Sequence, residues 1–228
     1  MKTKSLLTLF TILAISFSMG LKAQIMSGKE FKQHFKEVCK TPKYASADAV
    51  PTTADGEPIF SKEYTLEGTS KKEISAKVNL ILKNSLGGYL DDYIVKDKTD
   101  NADIKTEVTG HYTFDYHLGA SFFNRYFMKY NIITSATDGK LKVVVTNFSC
   151  ACQTLGDGVG GTGDGEYASM AAINSTKYAV DKKFTKVRTF YWGYLRVAAI
   201  DLSDIVFNAF NEKILLPIEK LNSQSESW

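Results

Sequence analysis

The clearest regularity in the chain lies between Ile59 and Cys150, where apolar residues alternate with polar ones or recur every three or four positions. Ile59 to Leu66 suits a strand, Gly68 breaks it, and Ser70-x-x-Glu73 forms a capping box ahead of Ile74, Val78, Ile81 and Leu82. Each side chain of such a box satisfies an orphan amide of the first turn, and the apolar spacing predicts a helix. Gly87 and Gly88 are expected to stop that helix through a left-handed cap, with strand character resuming at Tyr93 to Val95. Further strands are predicted at Asp103 to Leu118, expected to be bent or interrupted, at Phe122 to Ser135, and at Leu141 to Cys150. Asp138-Gly139 signals a hairpin between the last two, because both residues tolerate positive φ. The connections are too short for crossover helices, so the sheet is expected to be antiparallel.

The flanks read differently. Ser27-x-x-Glu30 is another capping box, and Phe31, Phe35, Val38 and Cys39 then form one apolar stripe that must dock on something else. Thr41 to Pro58 has no periodicity and is expected to be a linker or extended arm. Gly156 to Gly165 is Gly-rich. Phe184, Val187, Tyr191, Leu195, Ala198, Leu202, Ile205 and Ala209 then recur at helical spacing, predicting one long helix or two stacked ones, with Gly193 a candidate break. The stretch Phe190-Tyr191-Trp192 would also suit a strand. Pro217 is expected to end the regular region, leaving a polar, mobile tail from Asn222.

The first two dozen residues change the picture most. Lys2 and Lys4, an apolar run from Leu6 to Phe17 and then small residues predict an export signal. The run is too short to span a bilayer, which takes roughly 20 apolar residues, so no transmembrane segment is expected in the mature chain. Cleavage sites after Gly20 and after Ala23 compete, and the boundary is placed at Ala23, exposing Gln24. No cysteine lies near either site to take a lipid, so the chain is expected to be exported without an anchor. The organisation is then 1–23 signal, 24–58 helix and linker, 59–150 core, and 151–228 Gly-rich loop and C-terminal helices.

The formal charge of +3 belongs to the signal, because Lys2, Lys4 and Lys22 leave with it and the remaining basic and acidic residues balance. A neutral chain offers nucleic acid no electrostatic footprint. Cys39, Cys150 and Cys152 remain, and an oxidising compartment would permit one disulfide, with Cys39 to Cys150 or Cys152 preferred over the tight Cys150 to Cys152 ring.

Candidate chemistry is sparse. His111, Thr113, Asp115 and His117 share one strand face, but the two histidines lie roughly 20 Å apart, so one ion could use Asp115 and His117 without His111. With Tyr112, Phe114, Tyr116 and Leu118 on the other face, the histidine face is expected to be the wet one. Gly158-x-Gly160-x-x-Gly163, with Asp181 about 20 residues on, imitates a dinucleotide fingerprint, yet no parallel βαβ unit surrounds it. Asp157, Asp164 and Glu166 offer calcium hard oxygen ligands without an established spacing. An unliganded loop and no cofactor are expected. Cys150-x-Cys152 has no neighbour that would favour a thiolate, so a buried thiol or structural disulfide is expected. Hydrolase, zinc-protease and phosphate-loop signatures are absent.

One surface carries a functional expectation. From Phe122 onward, Asn124, Tyr126, Met128, Tyr130 and Ile132 share one face, and Phe123, Arg125, Phe127 and Lys129 the other. If helices cover only the first, Phe123, Arg125 and Phe127 form an open ligand-binding surface of aromatics interleaved with cations. The simpler expectation is that the C-terminal helices cover the second face and bury Phe123 and Phe127.

The stretch from Phe60 to Cys150 resembles a known family. Ile59-Phe60-Ser61-Lys62, Gly68-Thr69-Ser70-Lys71-Lys72-Glu73-Ile74, Val95-Lys96-Asp97 and Asp138-Gly139-Lys140 are similar to motifs of an exported bacterial family of unknown function with a TATA-binding-protein-like fold. The resemblance implies an α+β protein: a curved antiparallel sheet of about five strands with helices mainly on one face, here with a helical C-terminal extension. It brings no catalytic residues, and a fold name does not imply DNA binding. The expected function is a non-enzymatic, exported binding module of the cell envelope, its partner an envelope protein or small ligand. The alternatives are a hydrolase built from Asp115, His117 and the Gly-rich loop, or a structural part of an envelope assembly.

Overall fold

The computed structural model describes residues 27–91, 98–99, 103–117, 122–156, 168–169, 179–189 and 191–223. In chain order these form α1 (Gly28–Val38), α2 (Pro42–Ala45), β1 (Phe60–Thr65), α3 (Lys71–Leu86), β2 (Lys98–Thr99), β3 (Ile104–His117), β4 (Phe122–Thr137), β5 (Lys140–Gly156), β6 (Ala168–Ser169), α4 (Tyr191–Lys213) and α5 (Ile218–Ser223). The strands make one sheet in the order β1-β5-β4-β3-β2, with β6 beside β5, and every pairing is antiparallel. The outer edge of β5 is shared, β1 lying against Lys140 to Val145 and β6 against Ser149 and Cys150.

Alternation decides which face is buried. Thr106, Val108, Tyr112, Phe114 and Tyr116 of β3, and Tyr126, Met128, Tyr130, Ile132, Thr134 and Ala136 of β4, are buried, while residues between them are mostly half-buried or exposed. β3 runs unbroken from Ile104 through His117, so of the two alternatives, bent or interrupted, the interruption is not found. β5 needs a correction to keep step. Leu141, Val143 and Val145 point inward, then Asn147 and Phe148 together stand opposite Tyr130, a β-bulge with Asn147 at φ 56°. The extra residue switches parity, so that Phe148, Cys150 and Cys152 continue the inward face.

The helices cover that same face. Phe31 of α1 stacks on Phe114 with ring centroids 4.5 Å apart, and Tyr194 of α4 stacks on Tyr116 at 3.9 Å. Each such pair adds about 0.5–1.5 kcal/mol beyond the area it buries. Ile74, Val78, Ile81 and Leu82 of α3 are fully buried. Both predicted boxes mark helix starts, the first formed in full, with Glu30 N–H donating to Ser27 Oγ while Glu30 accepts from Ser27 N–H, and the second as its N-cap half, with Glu73 N–H donating to Ser70 Oγ. Asp138 of the β4–β5 hairpin also accepts from Lys71 N–H at 2.8 Å, joining the hairpin to the first turn of α3. Gly139 there has φ 76°. The α+β architecture with one helix-covered face is the one expected.

Four local expectations fail for physical reasons. Gly87 stays in the right-handed region, and the chain continues as a 3₁₀ turn through Tyr89. Phe184 has φ 53° and sits in a turn closed by the Val180–Val187 bridge, so neither it nor Val187 belongs to the helix. Gly193 does not break α4: a Cβ there would lie 1.9 Å from the Arg188 carbonyl oxygen, and glycine lets the chain pass. Pro217 precedes a further helix, α5, rather than ending regular structure. The predicted strand at Tyr93 to Val95 and the residues of the export signal lie outside the described residues.

Gly193→Ala is expected to destabilise the fold by about 2 kcal/mol or more, because the obstructing atom is backbone. Gly87→Ala, with nothing within 4 Å of its Cβ, is expected to be neutral or stabilising by about 0.4–1 kcal/mol. Urea denaturation of both variants checks the contrast.

Candidate binding face and a polar seam

Helix cover on one side leaves the odd-numbered residues of β3 and β4 on the other. Strand register sets Asp115 opposite Arg125, and the two form a bidentate pair, Arg125 Nε to Asp115 Oδ1 at 2.9 Å and Nη2 to Oδ2 at 3.1 Å. Asp115 is buried, and this hydrogen-bonded pairing raises the pKa of Arg125. Phe127, between Thr113 and Ala151 in the register, is only partly buried, and Lys129 is exposed. The described helices therefore do not bury Phe127, and the expectation that they cover the second face gives way. Phe123 is placed in β4 opposite His117 and Leu155, but its side chain and that of His117 lie outside the described residues.

The other sequence candidates separate. His111 Nδ1 lies 2.6 Å from Asp91 Oδ1, away from Asp115. Asp115 itself is committed to Arg125, and the loop from residue 157 to 167 is outside the described residues. Asp181 is engaged in its own turn, where its carboxylate accepts from Thr185 Oγ1, Thr185 N–H and Lys186 N–H, which lower its pKa. Among the described residues, no three His, Cys, Asp or Glu side chains are grouped to hold a metal ion. No described helix is long and apolar enough to cross a membrane.

All three cysteines are free thiols, so neither candidate bridge is formed. Burial pushes the Cys150 thiol up to about 12, against a hydrogen bond from Tyr191 that lowers it. Burial also raises Cys152, beside Tyr126. Neither environment favours a thiolate nucleophile.

The most organised polar cluster was not anticipated. The segment from Thr41 to Pro58, expected to be a linker or extended arm, is a docked arm, with Tyr44, Ala45 and Val50 buried. It is held by Arg196 of α4, whose Nε donates to the Tyr44 carbonyl at 2.7 Å and whose Nη2 donates to the Ser46 carbonyl at 2.6 Å. Burial lowers the Arg196 pKa to about 10, which leaves the guanidinium charged at neutral pH. Five residues on, Asp201 accepts from the Tyr44 hydroxyl at 2.6 Å and lies 2.7 Å from His34 Nε2 of α1. Lys43 pairs with Asp204 and donates to the Tyr44 hydroxyl. A His–Asp pair can move protons, but no serine, threonine or cysteine among the described residues hydrogen-bonds the His34 ring, and Asp201 is shared with Tyr44. The cluster seals the seam between α1, the arm and α4.

An antiparallel sheet with helices on one face places the chain among open-sheet α+β proteins. Its fold is similar to that of a DUF4468 family protein from Bacteroides ovatus, with a TM-score of 0.59 and 18% identity over 77% of this chain and 95% of that one. A TBP-like protein from Parabacteroides distasonis aligns with a TM-score of 0.47 and 14% identity over 72% of this chain and 96% of that one. The first of these, in its fold and in its family of unknown function, agrees with the resemblance seen around residues 59–150. At such identities the likeness speaks for fold, not for a shared site. No family profile and no curated protein matches the sequence.

The hydrogen bond with Asp201, partly opposed by burial, raises the pKa of His34 above its ordinary 6.5. The protonated pair therefore contributes stability that is fully present below about pH 6.5 and is lost as pH rises through the raised value. The urea midpoint of wild type minus that of His34→Gln is expected to be larger at pH 6 than at pH 9, and equal differences would remove the ion pair from the seam. In native protein at pH 8, Cys150 is expected to resist iodoacetamide and to react after unfolding, as peptide mass spectrometry would read directly.

Proposed function

We propose that this chain is an exported, non-enzymatic binding module of the cell envelope whose ligand lies on the sheet face opposite the helices, across Phe123, Arg125 and Phe127. The observation that carries the reading is the one-sided helix cover, with Phe127 left partly exposed beside an Arg125 already fixed in direction by Asp115. A guanidinium held in place by a buried carboxylate loses little side-chain freedom on meeting a ligand, and an adjacent aromatic ring supplies apolar area. The balance of basic and acidic residues outside the signal favours a protein or a small neutral ligand over nucleic acid. The lysine-flanked apolar run at the N-terminus supports export.

A photoreactive residue in place of Phe127, expressed in the producing cell, is expected to give a discrete adduct in the envelope fraction, with none from the same residue at exposed Glu212. Equal labelling from both positions, or none from 127, removes the face from the proposal. N-terminal sequencing of the mature chain is expected to begin at Gln24; an uncleaved cytoplasmic chain overturns export.

A further inference from the structure

The outer edge of β1 carries main-chain hydrogen-bonding groups that no described residue uses, beside a groove with apolar lining. Leu66 N–H donates to the Gly139 carbonyl in register with the β1–β5 pairing. Antiparallel ladders alternate, so Phe60, Lys62 and Tyr64 turn their amides and carbonyls toward β5, and Ser61, Glu63 and Thr65 turn theirs away. Ile59 N–H follows the same rule: it points outward and is taken by the Pro51 carbonyl of the arm. The arm stops there, and no described residue bonds the outward groups of residues 61, 63 and 65. Alongside runs a groove of about 330 Å³ between Lys62 to Leu66 on one bank and Asn211, Ile214 and Leu215 on the other. Leu215 is 73% exposed, the one large apolar side chain so exposed among the described residues.

We infer that this edge accepts an extended segment of another protein as an added strand, with a basic residue opposite Glu63, an apolar residue opposite Tyr64 and an acidic residue opposite Lys62. Main-chain bonds to Ser61, Glu63 and Thr65 supply register, and side chains supply choice. The residue opposite Tyr64 falls on the helix side, into the groove against Ile214 and Leu215. The Glu63 carboxylate makes a long ion pair with Lys142 at 3.8 Å and is 76% exposed, so it stays open to a second cation from outside. A second copy of this chain fits poorly. The two-fold axis that joins antiparallel edges runs normal to the sheet and passes through a like pair of residues. The fullest overlaps of Phe60–Thr65 then oppose Lys62 to Lys62 or Glu63 to Glu63, and like charges directly opposite are destabilising.

The test uses the full chain and the probe peptide acetyl-Thr-Thr-Leu-Lys-Glu-Thr-Thr-amide, with a second probe in which Lys and Glu are exchanged. Amide hydrogen exchange is read by NMR. With the first probe at saturation, the amides of Ser61, Glu63 and Thr65 are expected to slow by about tenfold or more, those of Lys62 and Tyr64 to stay unchanged, and the second probe to act far more weakly. Glu63→Pro removes an outward N–H that the fold does not use, at an edge where proline is tolerated, and is expected to fold and to lose the response. Equal protection by both probes, protection by neither, a retained response in Glu63→Pro, or slow exchange of these amides before any probe is added would each overturn the inference.

Discussion

Arg196 carries a charge into the core where only main-chain carbonyls meet it among its described hydrogen bonds, and much of the N-terminal architecture follows from satisfying it. A buried guanidinium left without partners costs several kcal/mol, so the carbonyls of Tyr44 and Ser46 must come to it. That requirement fixes the course of the arm after α1. Once Tyr44 is placed, its hydroxyl reaches Asp201, and Asp201 in turn meets His34. About one turn earlier on α1, Phe31 closes on Phe114 of the sheet. Removing Arg196 would therefore loosen the arm, the seam and the docking of α1 together.

The sheet imposes a second constraint. Its two longest pairings, β3 with β4 and β4 with β5, keep aromatic and aliphatic residues on one face over most of their length. With α1, α3 and α4 all recruited to that face, the opposite one is left to Arg125, Phe127, Lys129 and their neighbours. Ion pairing between adjacent strands settles part of it, as Asp115 and Arg125 show. Among the described residues, the remaining aromatic exposure and the edge of β1 are two surfaces where this fold has capacity to spare.

Much of this was legible in the amino-acid order because it is local. The boxes at Ser27 and Ser70, the Asp138-Gly139 turn and the period-two runs in β3 and β4 each act within a few residues. The failures are equally instructive. The arm shows no periodicity because it is held by its carbonyls rather than by a side-chain stripe. Phe184 and Val187 imitate helical spacing because a short bridged turn brings both inward. The polar seam joins residues 34, 43, 44, 196, 201 and 204, and no local pattern connects them. A signal was nonetheless present: Arg196, Asp201 and Asp204 interrupt the largely apolar stretch from Tyr191 to Phe207, and charges in such a stretch need partners from elsewhere in the chain.

The bulge at Asn147 has a chemical consequence as well as a geometric one. In a strand, a slip of one residue exchanges the two faces. Without the extra residue, Cys150 and Cys152 would point to the open side, and Ser149 and Ala151 to the core. Two neighbouring thiols on an uncovered sheet would be open to oxidants and to cross-linking between molecules. The inserted residue instead turns them beneath the tyrosines of β4 and α4, so a single irregularity in the ladder acts as their shelter.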